Sequence, residues 1–216
     1  MNVPVQIVLL RLTALAQMSL SCAEVNFTAL NEWDEDSPLI TGQIFELSGE
    51  RKIATKIDLN YTFNNCLTTN RVMESGKHQM SLKLIKHNGN CLNHYFGLVR
   101  DGAARDKDHT DKESTDAWYM NDTGTLYGNG KYVDDDDAGH INEGQIVSME
   151  ADLDKGTLRF WVDGKPHGPG WSSGVTGRLC WAVCLYYKGA VEIVPTPELQ
   201  QVGGRKERCG EMVTVG

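Results

Sequence analysis

Apolar and polar positions alternate most clearly between Glu143 and Pro166, EGQIVSMEADLDKGTLRFWVDGKP. Val147, Met149, Ala151 and Leu153 are less polar than Ser148, Glu150 and Asp152 between them. Leu158, Phe160 and Val162 then alternate with Arg159 and Trp161. A period of two puts one set of side chains on a buried face and the other toward water, the pattern of two half-buried strands. Asp154-Lys155-Gly156 supplies the turn between them, because Gly takes positive φ without steric cost, and Asp163-Gly164 closes the second strand. The segment predicts an antiparallel hairpin with no catalytic group in it, a scaffold that presents loops.

The rest of the chain from about Val25 follows the same style. Ile44-Phe45-Glu46-Leu47 ends at Ser48-Gly49, and Ile53 to Leu59 is a second extended run with Ile53, Thr55, Ile57 and Leu59 on one side. Ser75-Gly76-Lys77 precedes Met80, Leu82 and Leu84, His87 to Asn90 is a turn, and His94 to Arg100 is a strand. Asp101 to Asp116 has no periodicity and reads as a long loop; Val133 to Gly139 reads as another. Ala117 to Leu126 resumes the extended pattern, with a turn at Gly124. Leu179 to Tyr187 is a nearly continuous apolar strand, Ala190 to Val194 follows it, and Gln200 to Gly216 is a polar, Gly-rich tail. Many short strands separated by turns, with no helical period beyond the N-terminal segment, predict an all-β, antiparallel two-sheet β-sandwich. Trp118, Trp161 and Trp181 read as packing residues, while Trp171, among Gly and Ser, fits either role.

The first 24 residues stand apart as an N-terminal segment. Val3 to Ala16 is mostly apolar and Ala14-Leu15-Ala16 is similar to a signal-peptidase site, but no Lys or Arg precedes the apolar run and Arg11 interrupts it. A leading helix, an irregular segment or the remnant of a longer chain fits better than a secretory signal, and the run is too short for a membrane span. The sequons at Asn26, Asn60 and Asn121 matter only if the chain is secreted. The organisation expected is therefore 1–24 as a leading segment, 25–197 as one sandwich domain and 198–216 as a tail.

With 216 residues the chain can bury one good core, and 40% apolar with 23% charged residues is ordinary for a globular protein. A net charge of -8 repels phosphate backbones, so nucleic acid is not an expected partner, and Arg205, Lys206 and Arg208 are too few to reverse that. Cys22, Cys66, Cys91, Cys180, Cys184 and Cys209 contain no C-x-x-C, which leaves a zinc site unsupported and reads as buried free thiols of a cytoplasmic protein. Cys180 and Cys184, four apart in a strand-like run, share one face.

The chemistry-bearing residues make no catalytic pattern. Asp134 to Asp137 lack the ligand spacing, Gly and distant Glu of an EF-hand and read as a solvated acidic loop that attracts basic partners. His78, His87, His94, His109, His140 and His167 show no H-x-x-x-H or H-E-x-x-H spacing. No G-x-S-x-G is present, Cys91 with His94 reads as incidental, and Gly128-Asn129-Gly130-Lys131 lacks the Walker spacing. Tyr186 and Tyr187 end an apolar strand before Lys188-Gly189, and alternation turns one of them outward, where Tyr is an efficient interface anchor.

Five segments, in order, resemble the SPRY domain family, and together they cover roughly Leu47 to Val194. Ser75-Gly76-Lys77-His78 is similar to the family's turn before a strand, and Phe96-Gly97-Leu98-Val99-Arg100 to its glycine-containing strand. Gly124 to Lys131 is similar to its segment ending N-G-K, Glu143 to Val147 to its G-D-V-V/I-G step, and Leu153 to Lys165 to its L-D-x-x-x-G-T-L-x-F-x-x-N-G run. Gln145 stands where the family usually has Asp, Asp163 where it often has Asn, Trp181 where it has Pro, and Gln79-Met80 replaces an aromatic pair. The region around Trp33-Asp34 faintly resembles the PRY extension.

The resemblance implies a concanavalin-like sandwich that binds a protein or short peptide through loops at one rim, without cofactor or catalysis. Such domains serve as substrate-recognition or scaffolding subunits of larger complexes, ubiquitin-ligase adaptors among them. Carried over by position, the rim comprises Asn64, Asn65, Arg100, Asp101, Gly102, Tyr186, Tyr187 and Lys188. A monomeric module with a protein or peptide partner, no nucleic acid and no membrane span is expected. The alternative is a secreted or surface carbohydrate-binding sandwich, which needs a true signal peptide and Ca²⁺ at the aspartates.

Overall fold

The computed structural model describes residues 31–58, 65–87, 94–105, 114–133 and 139–199. The N-terminal segment, the 200–216 tail, Asn64, the sequons at Asn26 and Asn60, and Asp134 to Asp137 lie outside the described residues, as does most of the loop expected after Asp101.

Among the described residues one short helix precedes the strands. This is α1 (Pro38–Thr41), where Pro38 supplies a preset φ at the first helical position and Ser37 caps Leu39 N–H with its side chain. The strands are β1 (Phe45–Ser48), β2 (Ile53–Lys56), β3 (Cys66–Thr68), β4 (Lys77–Lys86), β5 (Tyr95–Arg100), β6 (Ala117–Asn121), β7 (Leu126–Gly128), β8 (Lys131–Val133), β9 (Ile146–Asp152), β10 (Thr157–Val162), β11 (Lys165–Pro166), β12 (Leu179–Cys184) and β13 (Ala190–Val194). Among the described residues they form a seven-stranded sheet, β1-β2-β13-β4-β9-β10-β11, and a six-stranded sheet, β3-β12-β5-β6-β7-β8. No helix among the described residues is long and apolar enough to cross a membrane.

The central hairpin forms with its apolar face inward as predicted, but the other face is not wholly toward water, since Ser148, Asp152 and Trp161 are buried as well. Val162 opposes Val147, Phe160 opposes Met149 and Leu158 opposes Ala151, all on the buried side. The two sheets close on a core that holds Trp33, Phe45, Leu82, Phe96, Trp118, Phe160, Trp171 and Trp181. Burying each such side chain contributes on the order of 1.5–3 kcal/mol, so this layer stabilises the sandwich as a unit. Trp33 lies within the fold, fully buried, with its indole N–H donating to Lys52 O at 3.0 Å and its backbone bridged to Thr69.

In the six-stranded sheet β3, β12, β5 and β6 are buried on both faces, which explains the unbroken apolar run along β12, whereas β8 is exposed. Leu179, Trp181 and Val183 face the main core, while Ala182 and Cys184 join Cys66, Tyr95, Val99, Ala117 and Tyr119 in a second cluster on the outer face. The chain leaving β5 returns over that face: Ala103 packs against the cluster and Arg105 O accepts the N–H of Cys66 at 3.0 Å.

β2 departs from the sequence reading. Ala54 and Lys56 face inward, Ile53 and Thr55 are half-buried, and Ile57 is 40% exposed. A one-residue slip inverts a strand's faces, and four residues of weak contrast do not fix the register alone. Pairing with β1 on one side and β13 on the other fixes it instead. The aliphatic stem of Lys56 suits burial, and burial pulls its ammonium below the usual lysine range. β12 also ends three residues before the predicted boundary, leaving Tyr186 and Tyr187 in the turn that follows.

Candidate functional site

Strand register decides which of the candidate rim residues meet. β12 runs antiparallel to β5, with Leu179 opposite Arg100 and Cys184 opposite Tyr95. At about 3.3 Å per residue, the Arg100 end and the Tyr95 end of this pair lie roughly 17 Å apart. Arg100, Asp101 and Gly102 therefore sit at one end of the sandwich, and Tyr186, Tyr187 and Lys188 at the other. The eight candidates do not share one rim. Asn65 precedes Cys66, which opposes Cys184, so it belongs to the tyrosine end, although its side chain is buried.

The arginine end is a set of ion pairs. Arg178 reaches Glu74 and, at 3.1 Å, Asp101. Arg100 donates to Thr176 O at 3.1 Å, lies 3.6 Å from Asp116 and stacks 5.1 Å over the Trp118 ring. Gly102 is exposed at φ 77°, with nothing within 4 Å of a Cβ built there. Exposed pairs of this kind contribute little to stability, and their charges are already matched.

The tyrosine end is built differently, on a buried polar support. Tyr186 and Tyr187 are half-buried, Lys188 is exposed at φ 53°, and its ammonium lies 5.4 Å from the Tyr187 ring centroid. Gly189 N–H donates to Tyr186 O at 2.9 Å and closes the turn. Tyr186 N–H donates to His94 Nδ1 at 3.1 Å, which fixes the neutral imidazole with its hydrogen on Nε2. Gly189 is required by this approach, because a Cβ there would stand 2.6 Å from His94 Cε1 and 2.9 Å from Tyr186 O.

Beneath the turn, His87 Nε2 lies 3.2 Å from Asp122 Oδ2, and His94 N–H donates to the same oxygen at 3.5 Å. The two imidazoles meet edge to face at 5.1 Å. Among the described residues, His94 Nε2 and Asp122 Oδ1 are buried without a hydrogen-bond partner. Burial, then the charges of His87 and Lys56, pull His94 down to about 3, and burial pushes the Asp122 carboxyl up. The imidazole is therefore neutral at physiological pH and serves as a fixed acceptor for the tyrosine turn.

Two residues here escape reading from sequence. His94 carries no motif, since its value lies in a contact with Tyr186, 92 positions away. Arg105 lies in a stretch without periodicity, yet its backbone contact with Cys66 brings it alongside the tyrosine-end edge. Asn121 of the third sequon is buried, and its Oδ1 accepts from Thr123 N–H and Thr125 N–H at 3.0 and 2.9 Å, so its side chain shapes the β6–β7 turn.

No protein-family model matches the chain. No curated protein matches it either. Solved structures do. The chain is similar to the SPRY domain of human HERC1 at 19% identity and a TM-score of 0.58, covering 71% of this chain and 94% of that one. The PSpry domain of TRIM65 superposes at 13% identity and a TM-score of 0.55, covering 77% of this chain and 90% of that domain. Stonustoxin matches at 15% identity and a TM-score of 0.58 over 76% of this chain, which spans only 27% of the toxin chain. With two antiparallel sheets, a glycine-bearing β5 and the L-D-K-G-T-L hairpin in place, the chain has a SPRY-like β-sandwich fold.

Proposed function

We propose that this chain is a protein-interaction module that binds a protein or short peptide at the end of the sandwich carrying Tyr186, Tyr187 and Lys188. The observation that carries the reading is the pairing of two half-exposed tyrosines with a rigid, buried support, His94 and Gly189. Preorganised aromatic side chains lose little conformational entropy on binding and dominate interface energetics. The SPRY-like fold supports the same reading, because it leaves recognition to loops at the ends of strands. Arg100, Asp101 and Gly102, at the far end, are not part of this surface. A role in substrate selection or scaffolding within a larger complex fits a module of this kind.

The test is affinity capture from cell extract with the wild-type chain, Tyr187→Ala and Arg100→Ala, each shown to fold. The expected result is loss of the specific partner with Tyr187→Ala and its retention with Arg100→Ala. Retention by Tyr187→Ala together with loss by Arg100→Ala places recognition at the opposite end and overturns the assignment.

A further inference from the structure

Cys66 and Cys184 face each other directly across the β3–β12 pair. The N–H of Cys66 points away from β12, to Arg105 O, so this is a non-hydrogen-bonded position of the antiparallel ladder. Such positions bring opposed Cα atoms to about 4.5 Å, closer than hydrogen-bonded positions and within the span a disulfide needs. Both side chains lie on the outer face of the six-stranded sheet, in one cluster with Tyr119. Neither sulfur is in a disulfide in this structure.

The surroundings distinguish these cysteines from their neighbour. Cys66 Sγ lies 2.8 Å from the Tyr119 hydroxyl. Burial pushes the Cys66 thiol up, but hydrogen bonds with Cys184 and Tyr119 and the nearby Arg105 charge outweigh it, so its pKa lies below the ordinary thiol value. Cys180 shares the strand with Cys184 but lies four residues away, about 13 Å, and opposes Val99 rather than a thiol. Burial pushes Cys180 up to about 11, which keeps it protonated. Among the described residues β3 ends its sheet and is only three residues long; Asp34 N–H and Arg105 O bond along its outer side, so a peroxide reaches the buried pair on local opening of that short strand.

We propose that Cys66 and Cys184 form a redox-modification site at which a peroxide converts the opposed thiols into a cross-strand disulfide. The Cys66 thiolate attacks one peroxide oxygen, the O–O bond breaks, and hydroxide leaves with the proton given up by that thiol as water. The resulting sulfenic acid is attacked by Cys184 sulfur. The S–O bond breaks, the S–S bond forms, and hydroxide takes the Cys184 proton as a second water. Two thiols are oxidised by two electrons and one hydrogen peroxide is reduced to two waters. The bond ties the strand that follows Asn65 to the strand that leads into Tyr186, so it fixes the edge of the tyrosine end covalently.

The experiment treats the folded, reduced full chain carrying Cys180→Ser with hydrogen peroxide. Remaining thiols are blocked with N-ethylmaleimide in denaturant, and tryptic peptides are read by mass spectrometry. The substitution leaves one cysteine each in the peptides spanning 57–71 and 179–188. The expected product is these two peptides joined, two hydrogens lighter than their sum, and the pairing is lost when the chain is oxidised in denaturant. The same cross-link in the unsubstituted chain shows that Cys180→Ser did not create it. Recovery of Cys66 and Cys184 as maleimide adducts or sulfinic acids, or joined to other cysteines, overturns the proposal.

Discussion

Gln145 and Asp163 are hydrogen-bonded to each other. Gln145 Nε2 donates to Asp163 Oδ2 at 2.8 Å, while Asp163 Oδ1 accepts from Ile146 N–H at 2.9 Å. These are two positions at which the chain departs from the SPRY pattern, and the structure shows them as one unit clamping the start of β9 to the end of β10. Asp163 sits at φ 50°, a conformation Asn and Asp tolerate better than other non-glycine residues.

Replacing Asp163 with Ala removes both hydrogen bonds and leaves a less tolerant residue at positive φ. The expected loss is about 1–2 kcal/mol in urea unfolding. Asp163→Asn, which keeps an acceptor for Ile146 N–H, is expected to lose under about 1 kcal/mol. Equal losses for the two variants would show that the carboxyl group itself, rather than its geometry, secures the hairpin.

Gly97 and Gly102 should respond differently to Ala. A Cβ at Gly97 would stand 2.0 Å from Trp118 O, because β5 and β6 approach closely there, so either the backbone shifts or the pairing breaks. Gly97→Ala is expected to cost about 3 kcal/mol or more, or to prevent folding. Gly102→Ala meets open space and pays only for its positive φ, about 1 kcal/mol. Thermal melts of the two variants decide it.

Lys188 holds φ 53°, a costly conformation for a long side chain, at the tip of the candidate binding turn. Lys188→Gly relieves that cost and is expected to stabilise the fold by roughly 0.5–1 kcal/mol while weakening partner binding. A variant neither more stable nor weaker in binding would show that the residue serves neither purpose.

His94 gives the fold a pH dependence of fixed sign. Its folded pKa of about 3 lies below the 6.5 of an ordinary histidine, so between those values the unfolded chain takes up the proton first. Its stabilising contribution is complete above pH 6.5 and declines toward pH 3, by at most about 1.4 kcal/mol per pH unit. Asp122, pushed up by burial, works in the opposite direction at acid pH. Comparing unfolding free energies of wild type and His94→Phe from pH 7 to 4 isolates the histidine; parallel curves would contradict this account.

The sheets were legible where alternation was sustained. β9 and β10 follow the hydrophobic pattern from Val147 to Val162, and Trp118, Trp161 and Trp181 are buried as their contexts indicate. Short elements were not legible: β3 and β8 hold three residues each, too few to display a period, and β2 turned its weaker-looking face inward. The candidate site was legible residue by residue but not as an assembly. Tyr186 to Lys188 and Arg100 to Gly102 flank strands that neighbour each other, yet only antiparallel register reveals that they leave those strands at opposite ends. The buried support, Lys56, His87, His94 and Asp122, comes from the end of β2 and from residues flanking β4, β5 and β6, and no local pattern joins them.

The measurement that bears most directly on the central claim is amide hydrogen exchange of the folded chain, alone and saturated with the partner captured by wild type. Protection confined to the Tyr186–Gly189 turn and the neighbouring Asn65 edge is the predicted result. Protection centred instead on Glu74, Asp101 and Arg178, with the tyrosine turn exchanging as in the free chain, would contradict it.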